Sequence, residues 1–252
     1  MIQIEKCDFG DSRVEAFTLL RGESSATDPY SGNSVCDYIG DEPNHVATAR
    51  AALASMLGID TADIITPHQT HSSNVAVIPP EGEMPSLDGV DAIVTTRRGI
   101  LLGINTADCV PVLFYAPDAG IIAAAHAGWR GTVAHIAAKT IAAMAKLGAN
   151  AGTIRVFLGA RICPRCFEVG DEVVEHFVAA GLGDETIITR NAATGKAHID
   201  LHAANIKILQ SCGVEPYNIQ CSARCSKEDP ALYSARRMGI ASGRTLTAIL
   251  LR

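Results

Sequence analysis

The sequence predicts an α+β fold, a mixed sheet with helices packed on it, and three observations lead there. Strand-like apolar runs and helix-period segments are interleaved along the chain. Two of the apolar runs, "VPVLFYAP" and "GIIAAAHAG", meet at "PDAG", a turn whose Pro, Asp and Gly suit a tight antiparallel pairing. No internal repeat, low-complexity tract or Pro/Ser-rich linker divides the 252 residues, so one domain over 1–252 is expected.

Taken in order, the opening to about Glu42 reads as irregular, because "RGESSATDPYSGNSVCDYIGDEPNH" is rich in Gly, Ser, Asp and Pro. "NHVATARAALASMLGID" then places Val46, Ala49, Leu53 and Leu57 at helical spacing, with Asp41 or Asn44 as the expected cap and Gly58 as the stop. "NVAVI" alternates as a strand does, and "DAIVTTRRG" and "ILLGIN" read as further strands. After Gly131 the period becomes helical. Val133, Ile136, Ala137, Ile141 and Met144 share a face that ends at Gly148. "TIRVFLGA" reads as a buried strand. "EVGDEVVEHFVAAGLG" and "DLHAANIKILQSCGV" read as helices stopped by glycines, and "TLTAIL" as a closing strand.

Composition narrows the function classes. A hydrophobic fraction of 48% against 19% charged residues describes a globular chain with a substantial core. Net charge is −6, and no Lys/Arg block is dense enough for nucleic acid. Arg236 and Arg237, with Arg244 nearby, suffice for a single phosphate only. No apolar run reaches the roughly 18 residues of a membrane helix. The start lacks the basic-then-apolar order of a signal peptide. A cytoplasmic location is therefore expected, with the eight cysteines as reduced thiols or metal ligands.

The chemistry-bearing residues sit at the edges of apolar runs. In "HQTHSSNV", His68 and His71 are three apart, so an extended strand would point them to opposite faces. Cys109 in "TADCVP" precedes a buried strand, and alone it reads as core. His126 ends "GIIAAAHAG", where a neutral imidazole needs a hydrogen-bond partner or a metal to offset desolvation. It precedes Gly128-Trp129-Arg130-Gly131, a strand-to-helix turn where free N–H groups and Arg130 favour an anion. His71, Cys109 and His126 would make a His₂Cys set with one position left open, the layout of a catalytic zinc. Spacing alone does not select these three from eight histidines and eight cysteines.

"HQTHSSNV", "DGVDAIVTTRRGILLGINTADCVPVLFY", "AAAHAGWRGTV" and "YSARRMGIASGRTLTAILL" resemble the YfiH-like family, also called the laccase-domain or polyphenol-oxidase family, which includes bacterial purine nucleoside phosphorylases. The resemblance runs from "LLRGESSATDPY" to the C-terminus. It implies a single mixed domain with layered sheets flanked by helices. It also implies that the second His of the H-Q-x-H block, the Cys of T-A-D-C and the His of H-A-G-W-R-G hold zinc, here His71, Cys109 and His126. Three stretches depart from the family pattern. "LLRGESS" keeps Arg21 but not the second glycine, "GARICPRCFEV" carries an added Arg161 and Cys163, and "SARR" replaces S-Y-R-R or S-H-R-R.

The activity this implies is zinc-dependent phosphorolysis of adenosine, inosine or methylthioadenosine to the base and ribose 1-phosphate, with adenosine deamination as a second activity. Purine nucleoside and phosphate are then the partners, with Arg21 and Arg130 as the expected phosphate cations and Arg236 behind them. Copper is discounted: two His and one Cys suit a blue-copper centre, but a multicopper cluster needs His-x-His pairs and the chain has none. Three alternatives remain. One is a cysteine hydrolase using Cys109 and His126, another a peptidoglycan-editing factor acting on a muropeptide precursor, and the third a zinc-stabilised binding module. Separately, Cys163-Pro-Arg-Cys166 and Cys221-Ser-Ala-Arg-Cys225 offer a structural Cys₄ zinc site, a redox pair or unligated thiols.

Overall fold

The computed structural model describes residues 2–25 and 27–252; Met1 and Ala26, the latter within the irregular opening stretch, lie outside the described residues. The first 19 residues correct the reading of that opening, for they contain β1 (Ile4–Cys7) and β2 (Val14–Leu19), an antiparallel pair. α1 (Pro43–Leu57) follows with Pro43 in its first turn. Its N-cap is Glu42, neither Asp41 nor Asn44, and Gly58 closes it at φ 66, a left-handed conformation that costs glycine nothing. The Asp41 carboxylate instead accepts the Glu42 N–H and pairs with His45.

Next come β3 (Ile64–Ile65), β4 (Val75–Ile78), β5 (Ala92–Thr95), β6 (Leu101–Thr106), β7 (Val110–Ala116) and β8 (Ile121–Ala127). The expected helix after β8 is two helices, α2 (Trp129–Val133) and α3 (Ile136–Lys146), broken at His135, whose φ is 57. The rest comprises β9 (Arg155–Leu158), β10 (Glu168–Val169), α4 (Asp171–Ala179), β11 (Ile188–Arg190), β12 (Ala197–Ile199), α5 (Leu201–Ser211), β13 (Ile219–Cys221), α6 (Ala235–Met238) and β14 (Thr245–Leu251). Glu168 and Val169, expected within a helix, form a strand against β12. Asp200 caps α5 through the His202 and Ala203 N–H groups.

Two large sheets carry the fold, with strand orders β1-β2-β14-β6-β3 and β13-β9-β7-β8-β5-β4. Their inner faces pack on each other through Ala16, Leu102, Ile104, Ile249, Ile93, Leu113, Tyr115 and Ile122. α1 covers the outer face of the five-stranded sheet through Leu53 and Leu57 against Phe17, Leu101 and Leu250. The outer face of the six-stranded sheet lies under α3, α4 and α5 through Ile141, Phe177 and Ile208. The small β10-β12-β11 sheet flanks this layer. The result is helix, sheet, sheet, helix. It explains why β7 and β8 read as unbroken apolar runs: Val112 and Phe114 face the helices while Leu113 and Tyr115 face the other sheet. Among the described residues, no helix is long and apolar enough to cross a membrane.

Candidate metal centre

β8 places His126 by its alternation. Ile121, Ala123, Ala125 and Ala127 pack under the helices, and Ile122 and Ala124 between the sheets. His126 continues the second series at the strand's last turn of the pleat. It is 3% exposed, and its register partner is Pro111, so Cys109 lies just beyond the paired end of β7, level with Gly128. His71 arrives from the loop before β4. All three side chains meet: their ligand atoms lie within 4.8 Å of one another. Cys109 Sγ is 3.9 Å from His71 Nε2, and the two imidazoles meet edge to face at 4.8 Å between centroids.

The residue that assembles this group is Asp91, immediately before β5 and fully buried. Its Oδ1 accepts the His126 Nδ1–H at 2.7 Å, which leaves His126 Nε2 for the centre. The same carboxylate accepts three successive backbone N–H groups, of Thr70, His71 and Ser72, and the Ser72 hydroxyl. A buried carboxylate so surrounded stays ionised. Burial alone would raise Asp91, but its bonds to His126 and Ser72 prevail and hold it at about 2. This nest of N–H groups also secures His71 at φ 61, a conformation that costs a β-carbon residue roughly 1–2 kcal/mol.

Cys109 is aimed by a second unusual backbone. Asp108 has φ 91, and its carboxylate accepts from Ser226 Oγ at 2.6 Å and from the Arg236 N–H at 2.7 Å. Burial alone would raise the Cys109 thiol, yet His126 and His71 bring it down to about 6. His126 responds in the opposite sense: burial would lower it, but Cys109 and Asp91 push it up to about 9. The centre thus favours a thiolate beside a cation. A β-carbon on Gly128 would stand 2.8 Å from Cys109 Sγ and 3.1 Å from the His71 ring, so only glycine leaves room for the ligands to converge. Two imidazole nitrogens, one thiolate, an oriented second partner and a cleared wall fit a tetrahedral metal with one position open.

The expected cations are placed less uniformly. Arg130 is exposed on α2, its guanidinium 4.2 Å from the Trp129 ring centroid. Trp129 packs against the core and near His176. Arg21 is 8% exposed; its Nε and Nη2 donate to the carbonyls of Ser31, Ser25 and Asp28 and to Ser31 Oγ, and it lies over Tyr233. In this placement Arg21 ties the front loop together. Arg236 donates to the carbonyls of Cys166 and Glu168. Sequence reading missed Asp91 and Asp108, and placed Gly128 in the turn after His126 without the clearance it gives the ligands. The signal available was an acidic residue abutting the apolar run "AIVT".

A sequence model of the family described as multi-copper polyphenol oxidoreductase laccase matches residues 15–252. The chain is 48% identical over 259 residues to "Adenosine deaminase RL5" of an unknown prokaryotic organism, covering 99% of both chains. It is 41% identical over 234 residues to "Purine nucleoside phosphorylase" of Deinococcus radiodurans, covering 93% of this chain and 87% of the other. Its fold matches the crystal structure of Bacillus licheniformis hypothetical protein YfiH at a TM-score of 0.88 and 26% identity, covering 95% and 93% of the two chains. The chain is an enzyme and belongs to the multi-copper polyphenol oxidoreductase laccase family.

Proposed function

We propose that the chain is a zinc-dependent purine nucleoside enzyme, one domain over residues 1–252, that phosphorolyses adenosine, inosine or methylthioadenosine and also deaminates adenosine. The observation that carries this reading is the convergence of His71, Cys109 and His126 within 4.8 Å around a space kept clear by Gly128. Kinship with proteins named for both activities supports the substrate class. Zinc is favoured over copper because a mixed nitrogen and thiolate set with an open position suits it, and no His-x-His pair exists for a copper cluster. When bound, it supplies a Lewis acid at neutral pH without redox change.

The chain's own groups then have separate tasks. Asp91 holds the Nδ1 proton of His126 and fixes the ring's direction. Cys109 keeps its thiolate because two imidazoles flank it. Arg130, exposed and stacked on Trp129, is the cation offered to phosphate. A cytoplasmic setting agrees with eight cysteines that are all free thiols.

A second reading rests on one observation: Asp91, His126 and Cys109 form an acid–imidazole–thiolate line, the arrangement of a cysteine hydrolase. Incubation with adenosine, with and without phosphate, followed by chromatography separates the outcomes. Phosphate-dependent adenine supports phosphorolysis, and phosphate-independent inosine supports deamination. Zinc-loaded protein that yields neither refutes the nucleoside reading and favours the muropeptide precursor. Metal-free protein that is fully active and loses activity on alkylation of Cys109 favours the hydrolase.

A further inference from the structure

Away from the His₂Cys centre, Cys163, Cys166, Cys225 and Glu228 place four ligand atoms within 4.8 Å of one another. Two short turns of the same design bring them together. In the first, Cys163 O accepts the N–H groups of Cys166 and Phe167, both at 2.9 Å. In the second, Cys225 O accepts those of Glu228 at 3.2 Å and Asp229 at 2.9 Å. Each turn presents ligands three residues apart on one side, Cys163 with Cys166 and Cys225 with Glu228. The turns are fastened to each other by a parallel bridge between Arg161 and Cys225 and by the Ser226 N–H bond to Arg161 O. The Cys163 N–H donates to Cys225 Sγ at 3.3 Å, which ties the first turn to a ligand of the second.

We propose that these four residues form a second, structural zinc site, with three thiolates and one carboxylate completing the tetrahedron. Tetrahedral zinc separates sulfur ligands by about 3.8 Å, from a Zn–S bond of about 2.3 Å, so the observed spacing needs only a slight contraction. Cys166 Sγ lies 3.6 Å and Cys163 Sγ 3.9 Å from the Glu228 oxygens. Soft thiolates select zinc over magnesium or calcium, and four protein ligands leave no position for substrate. Arg165 donates to both Glu228 oxygens and offsets part of the negative charge. The sequence had paired Cys163 and Cys166 with Cys221 and Cys225; here Cys221 is exposed in β13 and Glu228 takes its place. Binding expels the thiol protons to solvent and makes no covalent or redox change.

The site would act on the catalytic centre through one residue. Ser226, next to Cys225, donates to Asp108, next to Cys109, and the Ile162 N–H donates to Asp108 O at 2.9 Å. A metal here therefore pins the turn that aims Cys109. The test uses the full chain carrying Cys109→Ala, which breaks the first centre and leaves the second intact, purified with a non-chelating reductant and no added metal. Elemental analysis should find one zinc per chain, against two in the unsubstituted protein. Cobalt added to metal-stripped Cys109→Ala should show tetrahedral bands with thiolate charge transfer. Glu228→Ala in that background, at an exposed position that leaves the fold unchanged, should weaken zinc about 10-fold or more with circular dichroism preserved. The proposal is overturned if the Cys109→Ala chain binds no zinc or cobalt, if its mass shows a disulfide among these cysteines, or if Glu228→Ala binds as tightly as its parent. None of these outcomes depends on which nucleoside the first centre accepts.

Discussion

Asp91 shows how one side chain, silent in the sequence, organises a site that the sequence otherwise names. His71, Cys109 and His126 were legible because their motifs resemble those of a known family, whereas the carboxylate acts only through tertiary contacts with Thr70, Ser72 and His126. Asp91→Asn keeps the shape but removes the charge and lets the His126 ring choose its tautomer. Zinc affinity should fall about 10- to 100-fold, read by competition with a chromophoric chelator, with the circular dichroism spectrum retained. Gly128→Ala tests the steric side of the same account. Its β-carbon would crowd Cys109 Sγ and the His71 ring, so metal binding and activity should drop together. Unchanged affinity in that variant would remove the cleared wall from the explanation. The bonds that fasten Arg21 to the front-loop carbonyls were not legible, because contacts of that kind are not visible in one dimension.

The elements that were easiest to read are those buried on both faces. β6, β7, β8 and β14 are buried throughout and predominantly apolar, because each has packing partners above and below. β1 and β2 were missed: "IEKC" and "VEAFTL" are short, carry the exposed charges of Lys6 and Glu15 and run into a polar loop. The break between α2 and α3 escaped notice because a left-handed residue was not expected at His135. α5 carries a group whose titration tests its docking. His202 is buried and donates from Nε2 to Gly159 O at 2.9 Å; burial first, then Arg161, lowers it from 6.5 to about 4. A neutral folded-state histidine contributes stability that is complete above about pH 6.5, declines as pH falls, and is gone below about pH 4. The swing is on the order of 3 kcal/mol. Thermal melts of His202→Gln, which retains a donor but no titrating group, should show a flatter pH dependence between those limits. An identical slope in variant and parent would show that other groups govern it.

At the scale of the molecule, the two large sheets share one interior, and the metal centre sits where that interior reaches the surface. The sequence announced mixed elements and a tight hairpin, and the family resemblance implied the layering. What it concealed was which strands share a sheet, since β14, at the end of the chain, lies between β2 near its start and β6 near its middle. Leu113, fully buried between the sheets, should destabilise by about 2–5 kcal/mol when replaced by alanine. If residues 1–252 are one domain, calorimetry of Leu113→Ala should show a single transition moved down as a whole. A shifted transition beside an unshifted one would mean that the sheets melt separately. The central claim, that the His₂Cys centre converts purine nucleosides, is tested most directly by adenosine turnover in Cys109→Ala beside the unsubstituted protein, both supplied with zinc and shown to be folded. The account predicts that adenine and inosine formation both disappear in the variant; turnover equal to the parent would contradict it.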